Sequence, residues 1–464
     1  MSPLTDGKLN LRSLAFFRIG LGLLVWSFVI QLAPDYEVFY RQLAPHTVPD
    51  FVLELAFWSL PLFATLLLIG FRTRLSTFLC WLGIIVLQQA NPQILQGGDV
   101  LLKLLLFWSL FLPLGATWSV DAWRRKEPAK PWPLTTQLAS WALAGQIVLV
   151  YWSAALLKSD PLWTQNGNAL FYALNIEHFT TPFGLYLRQF PDLLRVLTFG
   201  TRIFEFIGPL LLFVPVYRYH FRLVAVTLFI GFHLIGMQSL LRIGLFPWVC
   251  ATAWLIFLPA SFWNFFDKKR EDQKSKSSQR KQPKRVSSSE LKPVGLLDRI
   301  TSGFILISFL DVCAWNTASL NGPDAFRWMK QHDAWSHIFQ LDQRWNMYAP
   351  YPRDEHGWLV VPADLANGTQ VDLFTSQPVS WDKPGDLGAY FGDDRWRRYL
   401  SNLFNDRDPQ ALQGYADYLV RNWNQHHGED QKVQIVTIIF MKQITMPDLT
   451  NTPPEKDVLY LHAY

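Results

Sequence analysis

The sequence predicts an all-α polytopic membrane helical bundle of about nine spans with a small C-terminal extracytoplasmic α+β domain. Half of the 464 residues are hydrophobic and only 17% are charged, against about 25% charged in an average soluble domain. Apolar runs of about 20 residues, the length needed to cross a hydrocarbon core of about 30 Å, recur through the first two thirds of the chain. The composition changes after residue 315, where 19 acids face 13 bases.

The spans are predicted from these apolar windows. The first window carries Arg18 near its middle and has no small-residue cleavage site, so we interpret it as a retained span and not as a secretory signal. The predicted spans are residues 11–32, 51–70, 75–90, 100–115, 138–157, 194–214, 223–240, 243–262 and 294–315.

Positive charge predicts the orientation. Lys and Arg are retained on the cytoplasmic side, and a cytoplasmic N-terminus places the basic loops 71–74, 123–126 and 217–222 on that side. An odd number of spans then puts the C-terminal domain outside. We expect an integral protein of a bacterial inner membrane. The predicted outer loops are residues 34–50, 91–99 and 159–195.

Four segments make up the predicted domain organisation. They are a transmembrane domain at 9–262, a basic cytoplasmic linker at 263–293, a last transmembrane helix at 294–315 and the extracytoplasmic α+β domain at 316–464. Within the linker, residues 267–293 carry ten Lys or Arg against four acids. Because the basic charge is confined to this stretch, no nucleic-acid partner is expected.

The C-terminal region shows strand and helix patterns. Asn367-Gly368 predicts a hairpin turn between strands at 357–361 and 370–374. Asp408-Pro409 followed by apolar residues at helical spacing predicts a capped helix, and alternation over 433–440 predicts a strand.

Common catalytic and metal motifs do not occur in the sequence. There is no Gly-rich phosphate loop, HExxH or GxSxG. The three cysteines lie in separate apolar runs and the histidines are dispersed, so neither a disulfide framework nor a metal site is predicted.

Ionisable residues inside spans are candidates for an internal polar site, because lipid disfavours them. Arg18, Glu205 and His233 lie within predicted spans, and Arg242 lies between two of them. The alternative is helix packing, in which Arg202 pairs with Glu205 on one helical face and His233 bonds a backbone carbonyl.

Lys158 ends the apolar run of the fifth span. It precedes Asp160, Trp163 and an aromatic loop that contains His178. An amine held in an apolar pocket is driven toward its neutral form and can act as a general base, whereas an Asp160 carboxylate facing it would favour the charged form. The alternative is a lysine that extends its ammonium to water at the membrane boundary.

Residues 151–163, which read Tyr-Trp-Ser-Ala-Ala-Leu-Leu-Lys-Ser-Asp-Pro-Leu-Trp, carry a family resemblance. This segment resembles the catalytic-lysine segment of vitamin K-dependent gamma-carboxylase and of its bacterial relatives, the horizontally transferred transmembrane (HTTM) domain proteins. The resemblance covers about residues 9–262. Further similar segments in the same order are residues 17–18, 118–121, 177–183, 232–233, 243–247 and, in the tail, 343–350.

The resemblance implies a reduced, vitamin K-like quinone between the helices, with Lys158 as the base of an oxygenase or carboxylase-like reaction. The position of the family's carboxylation histidine falls on Gly98, which argues against glutamate carboxylation. No segment of the tail clearly supplies the animal enzyme's propeptide-binding surface. The predicted catalytic residues are Lys158, His178 and His233, and the predicted pocket residues are Arg18, Asp160, Trp163, Glu205 and Arg242.

Two classes of function remain open from the sequence. The first is an enzyme that binds a quinol or lipid-like substrate. The second is a non-enzymatic membrane binding or assembly protein, or a transporter, that keeps the scaffold and uses its polar residues for packing. The expected partners are the lipid bilayer and a quinone or lipid-like ligand, and the sequence identifies no protein partner.

Overall fold

The computed structural model describes residues 9–45, 47–125, 133–274 and 295–464. Helices form nearly all of the regular structure up to residue 339, and a five-stranded sheet with three further α-helices forms the C-terminal region. Lys126 of a predicted basic loop and residues 275–293 of the predicted linker lie outside the described residues.

The α-helices that precede the sheet vary widely in length. They are α1 (Leu11–Leu32), α2 (Asp50–Ile69), α3 (Thr73–Ala90), α4 (Gly97–Ser109), α5 (Val120–Arg124), α6 (Leu134–Leu157), α7 (Pro161–Thr164), α8 (Ala169–Asn175), α9 (Pro182–Leu187), α10 (Pro191–Ile207), α11 (Arg218–Gly231), α12 (Gln238–Leu240), α13 (Phe246–Trp254), α14 (Ala260–Lys274), α15 (Leu296–Leu320), α16 (Pro323–His332) and α17 (Ala334–Phe339). Two π-helices (Val38–Gln42 and Phe232–Met237) and 3-10 turns at Pro92–Ile94, Glu177–Phe179, Gly208–Phe213 and Leu255–Phe257 interrupt or link them.

Helices occupy all nine predicted windows, but not all of them meet the requirements of a span. Among the described residues, five helical segments are long and apolar enough to cross a membrane, and a sixth results if a pair bent by 81° counts as one span. The helix α4 has only 13 residues, fewer than the roughly 20 that a bilayer requires. The structure therefore supports an apolar helical bundle and does not confirm nine spans. The five segments are Leu11–Leu32, Asp50–Ile69, Leu134–Leu157, Pro191–Phe213 and Arg218–Leu240.

Local sequence explains where the first two helices begin and end. Asn10 caps α1, since its side-chain oxygen accepts the Arg12 amide at 2.9 Å and the Ser13 amide at 3.3 Å. The helix α2 ends at Ile69, and the next residue, Gly70, has a positive φ of 70°, the left-handed conformation that glycine adopts at little cost. The bundle then packs α1 on α2, α2 on α3, α3 on α4, α4 on α13 and α6 on α15.

The C-terminal domain is an antiparallel sheet with helices against it. Its elements are β1 (Glu355–Val360), β2 (Pro362–Leu365), β3 (Gln370–Asp372), α18 (Leu387–Tyr390), α19 (Asp394–Asp406), α20 (Pro409–His426), the 3-10 turn Glu429–Gln431, β4 (Val433–Ile444) and β5 (Glu455–Ala463). The strand β4 is central, with β1 and β2 along one edge, β5 along the other and β3 beyond β2. The predicted helix after Asp408 and the predicted strand from residue 433 are confirmed.

The predicted hairpin is correct in its turn and wrong in one strand. Gly368 takes a positive φ of 79° in the turn, and β3 pairs with β2 instead of with the segment 357–361. The strand β1 pairs with β4, more than 70 residues away along the chain. A long-range strand pairing of this kind leaves no local sequence signal.

The C-terminal domain packs on one end of the helical bundle. Arg395 of α19 forms an ion pair with Asp99 of α4 at 2.5 Å, and the Asn175 amide donates to the Thr445 hydroxyl at 2.9 Å. The Phe39 ring contacts Trp396, with ring centroids 4.8 Å apart. These contacts bring the three predicted outer loops to the same end as the C-terminal domain.

The basic loops meet at the opposite end of the bundle. Asp121 accepts the backbone amides of Arg72 and Thr73, both at 2.8 Å. The Trp118 ring lies 5.1 Å from that of Trp263. The bundle therefore separates its basic loops from the C-terminal domain.

Candidate functional site: a buried ion pair in a large cavity

A cavity of about 1120 Å³ lies between the helical bundle and the C-terminal domain. Its walls come from α6, α10 and the π-helix Phe232–Met237 on the bundle side, and from residues 342–349 and 398–406 on the side of the C-terminal domain. Most ligand sites have volumes of about 300–1,000 Å³, so the space accommodates a ligand with several rings or a long chain.

Lys158 and Glu205 form a buried ion pair in the cavity wall. Lys158 follows the last residue of α6 and its Nζ lies 2.5 Å from Glu205 Oε2 of α10, with side chains 5% and 9% exposed. The lysine therefore does not extend into water. The predicted alternative of an Arg202–Glu205 pair is wrong, because α10 turns Glu205 toward α6; Arg202 makes no ion pair with any residue that the structure describes.

Trp163 and Asp160 follow Lys158 but have different roles. The Lys158 Nζ lies 5.1 Å from the centroid of the buried Trp163 ring, a favourable cation–π arrangement. The Trp163 indole donates to the Tyr348 carbonyl at 2.9 Å and so ties this loop to the C-terminal domain. Asp160 caps α7 by accepting the Leu162 amide at 2.8 Å, and it does not line the cavity.

His233 belongs to a short hydrogen-bonded chain. Its Nε2 lies 2.8 Å from the Tyr151 hydroxyl, which also accepts the Trp254 indole N–H at 2.8 Å. The Tyr151 hydroxyl therefore bridges the Trp254 indole and the His233 ring. The predicted bond from His233 to a backbone carbonyl is thus replaced, and its Nδ1 has no hydrogen-bond partner within the described chain.

His178 lies in the outer half of the cavity among aromatic rings. Its Nε2 is 2.8 Å from the Ser401 hydroxyl, and the ring centroids of Phe179 and Phe391 are 4.5 and 4.9 Å away. Burial, with smaller effects from the charges of Arg397 and His356, lowers the pKa of His178 to about 3. The imidazole is therefore neutral at pH 7.

Arg242 lines the cavity on the side of the C-terminal domain. Its Nη1 and Nη2 donate to the two carboxylate oxygens of Asp386 at 3.1 and 3.4 Å. The hydrogen bond from Arg242 holds the pKa of Asp386 below its usual value. This cation thus has an anionic partner in the C-terminal domain.

The structure does not bring Arg18 to the cavity. Its guanidinium donates to the backbone carbonyls of Trp118, Leu68 and Leu114 at 2.7, 3.2 and 3.3 Å, at the end of the bundle where the basic loops meet. One carbonyl belongs to the last turn of α2, and the other two belong to the connection between α4 and α5. Arg18 therefore stabilises the packing of this connection against α1 and α2.

Gly98 occupies a position where no side chain fits. A β-carbon there would lie 2.8 Å from the backbone nitrogen and 2.9 Å from the α-carbon of Phe246, closer than real contacts allow. The close packing of α4 on α13 explains why the chain has glycine at the position where the resembling family has its carboxylation histidine.

Several cavity residues were not predicted as site residues. Tyr151 lies inside the segment that resembles the family motif, so that resemblance marks its position without giving its role. Residues 343–350 also carry a resemblance, and much of this segment lines the cavity. Ser401 and Arg398 have no signal in the sequence, because α19 reaches the cavity only through the docking of the C-terminal domain.

The described residues contain no group of three or more His, Cys, Asp or Glu side chains that could hold a metal ion. The polar groups of the cavity are the Lys158–Glu205 ion pair, hydrogen-bonding groups, arginines and further charged residues, namely Lys330, Asp342, Glu355 and Asp406.

The five described helical segments that are long and apolar enough to cross a bilayer indicate an integral membrane protein. The model of the HTTM domain family matches residues 8–263, which is more than half of the chain. The chain therefore belongs to the HTTM domain family, whose relation to vitamin K-dependent gamma-carboxylase agrees with the resemblance described above. No curated protein and no solved structure matches the chain significantly.

Proposed function

We propose that the cavity binds a quinol or a similar lipid-like ligand and that the Lys158–Glu205 pair accepts a proton from a hydroxyl group of that ligand. The observation that carries this proposal is the position of the pair. Two charged side chains, removed from water and in contact at 2.5 Å, lie in the wall of a large cavity.

The lining of the cavity suits a quinol-class ligand. Aromatic and aliphatic side chains predominate and a few polar groups converge, which is typical of sites for small apolar ligands. Trp163 and Phe246 offer ring surfaces, and the unpartnered Nδ1 of His233 offers a polar contact. Such a ligand, when bound, supplies an acidic hydroxyl and redox chemistry that the protein side chains lack.

The ion pair is able to take up one proton. A charged ammonium alone is not a base, but in a dry site the pair can convert to a neutral amine beside a carboxylic acid, because burial disfavours both charges. Either form accepts a single proton and becomes an ammonium beside a carboxylic acid. The pair then carries one net positive charge, which stabilises the negative charge left on the ligand.

We propose that two histidine rings, His233 and His178, orient the ligand. Tyr151 fixes the His233 ring through the 2.8 Å hydrogen bond, and Ser401 fixes His178 in the same way. Rings held by packing and by hydrogen bonds position a ligand without moving during the reaction. The burial of the site also keeps water away from a strong base.

Carboxylation of glutamate is not part of the proposal. The family's carboxylation histidine has no counterpart at Gly98, and the contact with the Phe246 backbone leaves no room for one.

We further propose nine spans, a cytoplasmic N-terminus and an extracytoplasmic C-terminal domain in a bacterial inner membrane. The support is the separation of basic loops and C-terminal domain to opposite ends of the bundle. Alkaline phosphatase fused after residue 464 should be active and green fluorescent protein fused there should be dark. The reverse result would overturn the orientation.

The proposed chemistry is tested by reduced naphthoquinone consumption in nanodiscs under air. Lys158→Met should lower the protein-dependent rate at least about 100-fold, the loss expected for a general base, while quinone binding changes less than about threefold. Lys103→Met is the matched control: Lys103 is equally buried and does not line the cavity, and its partner Asp342, 3.1 Å away, is a carboxylate in the cavity wall as Glu205 is. It should retain the rate of the wild type.

Two outcomes would overturn the proposal. In the first, the wild-type protein neither binds the quinone nor exceeds the rate of empty nanodiscs; a non-enzymatic binding or assembly protein would then be the better interpretation. In the second, Lys158→Met and Lys103→Met lower the rate equally.

A further inference from the structure

A smaller cavity lies at the end of the bundle where the basic loops meet. Its volume is about 290 Å³, near the lower limit of the roughly 300–1,000 Å³ that is usual for ligand sites. Its walls are the start of α1, the start of α11, and the chain from the 3-10 turn Leu255–Phe257 to the first residue of α14. It shares no lining residue with the large cavity and is therefore a separate site.

Hydrogen bonds and an ion pair hold these walls together. The Ser13 hydroxyl donates to the Leu258 carbonyl at 2.8 Å and accepts the Trp263 indole N–H, also at 2.8 Å. Arg12 of α1 pairs with Asp267 of α14 at 2.7 Å. The cavity thus lies between elements that are fixed to one another.

Arg222 is the charged residue in the wall of this smaller cavity, and the described chain supplies no anion for it. It is 6% exposed, its Nε has no hydrogen-bond partner, and its guanidinium forms no ion pair with any described residue. No acidic residue of the described chain lines the cavity, and Asp267 is already paired with Arg12. Because a buried charge without a partner is costly, this arrangement indicates the position of an anion.

Tyr219 and Arg218 increase the preference for an anion. Tyr219 lines the cavity one turn before Arg222, and its hydroxyl accepts a hydrogen bond from Arg218 Nη2 at 3.1 Å. The Arg218 guanidinium lies 4.9 Å from the centroid of the Tyr219 ring. A second positive charge therefore stands beside the cavity, where it attracts phosphate oxygens and repels an ammonium group.

Aromatic residues place the smaller cavity at the level of the lipid headgroups. The segment Ala260–Asp267, which begins in the cavity wall, bends by 81° from the helix before it, and its Phe265 and Phe266 side chains are more than half exposed. Helices with exposed apolar residues that turn away from the bundle lie in the plane of the membrane interface. The exposed Tyr217 and Trp118 are found at the same end, as expected for the aromatic belt of a membrane protein.

We propose that the smaller cavity is a headgroup site for an anionic phospholipid, whose phosphate pairs with Arg222 while its acyl chains stay in the bilayer. A phosphodiester is a monoanion and so matches a single uncompensated guanidinium. The lipid class is one with an uncharged headgroup, such as phosphatidylglycerol, because no described lining residue is able to receive the ammonium of phosphatidylethanolamine. Basic pockets between membrane helices are known to bind anionic headgroups.

Native mass spectrometry of the full-length protein in detergent tests this proposal. The delipidated protein is titrated with phosphatidylglycerol, with phosphatidylethanolamine of the same acyl chains, and with glycerol 3-phosphate. The wild type should bind its first phosphatidylglycerol at least about tenfold more tightly than phosphatidylethanolamine, as a charge-assisted hydrogen bond allows. Arg222→Gln should abolish this preference, and Arg222→Lys should retain part of it because the charge remains.

Arg202 provides the matched control. It is a second arginine whose Nε has no hydrogen-bond partner in the described chain, and it lines neither cavity. Arg202→Gln should keep the lipid preference of the wild type. An equal loss in Arg202→Gln and Arg222→Gln would show a general effect of membrane-facing charge and would refute the site.

The melting temperature of the lipid-free protein separates a lipid site from a structural arginine. Since an unpaired buried charge is costly, Arg222→Gln should leave the Tm of the delipidated protein unchanged or higher. The same variant should lose the rise in Tm that phosphatidylglycerol gives the wild type. A lower Tm in lipid-free Arg222→Gln would mean that the protein itself satisfies this charge, and it would overturn the proposal.

Two further results would overturn the proposal. In the first, the wild type binds phosphatidylethanolamine as tightly as phosphatidylglycerol, which leaves no anionic headgroup site. In the second, glycerol 3-phosphate binds as tightly as the lipid and with the same dependence on Arg222, which assigns the cavity to a soluble phosphate. Quinone binding enters neither measurement, so the proposed function of the large cavity is tested separately.

Discussion

Among the described residues, two ion pairs have both side chains less than 10% exposed, and they differ in what surrounds them. Arg395–Asp99 joins the C-terminal domain to the bundle, with both side chains at most 2% exposed and nitrogen-to-oxygen distances of 2.5 and 2.9 Å. Lys158–Glu205 joins α6 to α10 at 2.5 Å. Only the second pair borders the cavity.

The surroundings of Arg395 are fully occupied by protein. Its guanidinium also donates to the Ile94 carbonyl at 3.1 Å and lies 5.1 Å from the centroid of the Phe28 ring. Asp99 also accepts the Gln96 amide at 2.9 Å within the first turn of α4. A charge with these contacts has no space for a ligand beside it. The pair therefore holds the C-terminal domain to the helical bundle.

The comparison teaches that burial and pairing alone do not identify a functional charge. Arg395 is more deeply buried than Lys158 and makes more hydrogen bonds, yet it has no space beside it. The free volume next to an ion pair decides whether the pair can exchange a proton with a ligand. Four variants, taken from the largest expected effect to the smallest, test this distinction.

The largest effect is expected from Arg395→Met. It leaves the Asp99 carboxylate buried without its cation, and breaking a buried pair costs about 3–5 kcal/mol. We expect a large fall in the free energy of unfolding, measured by denaturation in detergent. The C-terminal domain should also become sensitive to protease.

The control is an exposed pair in the same domain. Arg407 lies 2.7 Å from Asp457, with side chains 47% and 20% exposed, and exposed pairs contribute only about 0–1 kcal/mol. Arg407→Met should therefore have little effect. Equal losses in the two variants would contradict a special role for Arg395 in docking.

A second variant restores the histidine that the resembling family has at position 98. In Gly98→His the new β-carbon would lie 2.8 Å from the Phe246 backbone nitrogen, so we expect a destabilisation of about 1–3 kcal/mol or more and no gain of carboxylation. Gly97→Ala is the control, because its β-carbon would meet Phe246 Cδ2 at an ordinary 3.4 Å. A stable Gly98→His protein would show that α4 and α13 can separate.

The sequence predicts the helices of the bundle more closely than the contacts between distant parts of the chain. Apolar windows and charge placed the helices close to their observed bounds, since a span of about 20 apolar residues is a local property. The windows could not show that α4 is short or that α14 bends away from α13, because these features depend on neighbouring helices. For the same reason the ion pair between Arg395 and Asp99, which are almost 300 residues apart in the chain, has no signal in the sequence.

The cavity was only partly predictable. Lys158, His178, His233, Glu205, Arg242 and Trp163 line it, whereas Arg18 and Asp160 do not. An ionisable residue in a span indicates a polar contact but does not identify the partner. The partners of Arg18 are backbone carbonyls. The pairing of Glu205 with Lys158 instead of Arg202 depends on how α10 is turned against α6. That rotation follows from packing and not from spacing.

The third variant tests how dry the outer half of the cavity is. His178 has a pKa of about 3 in the folded protein, against about 6.5 in an unfolded chain. Between these values the unfolded chain binds a proton that the folded protein does not. Stability should therefore fall as the pH drops below 6.5, by about 2 kcal/mol at pH 5.

The variant His178→Asn removes this proton-binding group and should reduce the loss of stability between pH 7 and pH 5 by about 2 kcal/mol. The buried His356, whose pKa is also lowered by burial, maintains part of the dependence. Replacing the exposed His332 by Asn should leave the dependence unchanged. An unaltered slope in His178→Asn would mean that water reaches the His178 ring and that the cavity is wetter than its aromatic walls imply.

The smallest effect on stability is expected at Lys158, although its effect on function is proposed to be the largest. In Lys158→Met the Glu205 carboxylate loses its cation, but it borders the cavity, where the uptake of a proton leaves it neutral. We therefore expect a loss of about 1–2 kcal/mol, near the cost of one unsatisfied buried group and below that of Arg395→Met. The double variant Lys158→Met with Glu205→Met should regain most of that stability, because no charge remains buried, and should still lack quinol consumption. If Lys158→Met proves as destabilising as Arg395→Met, the two ion pairs are equally structural and the cavity gives Lys158 no separate role.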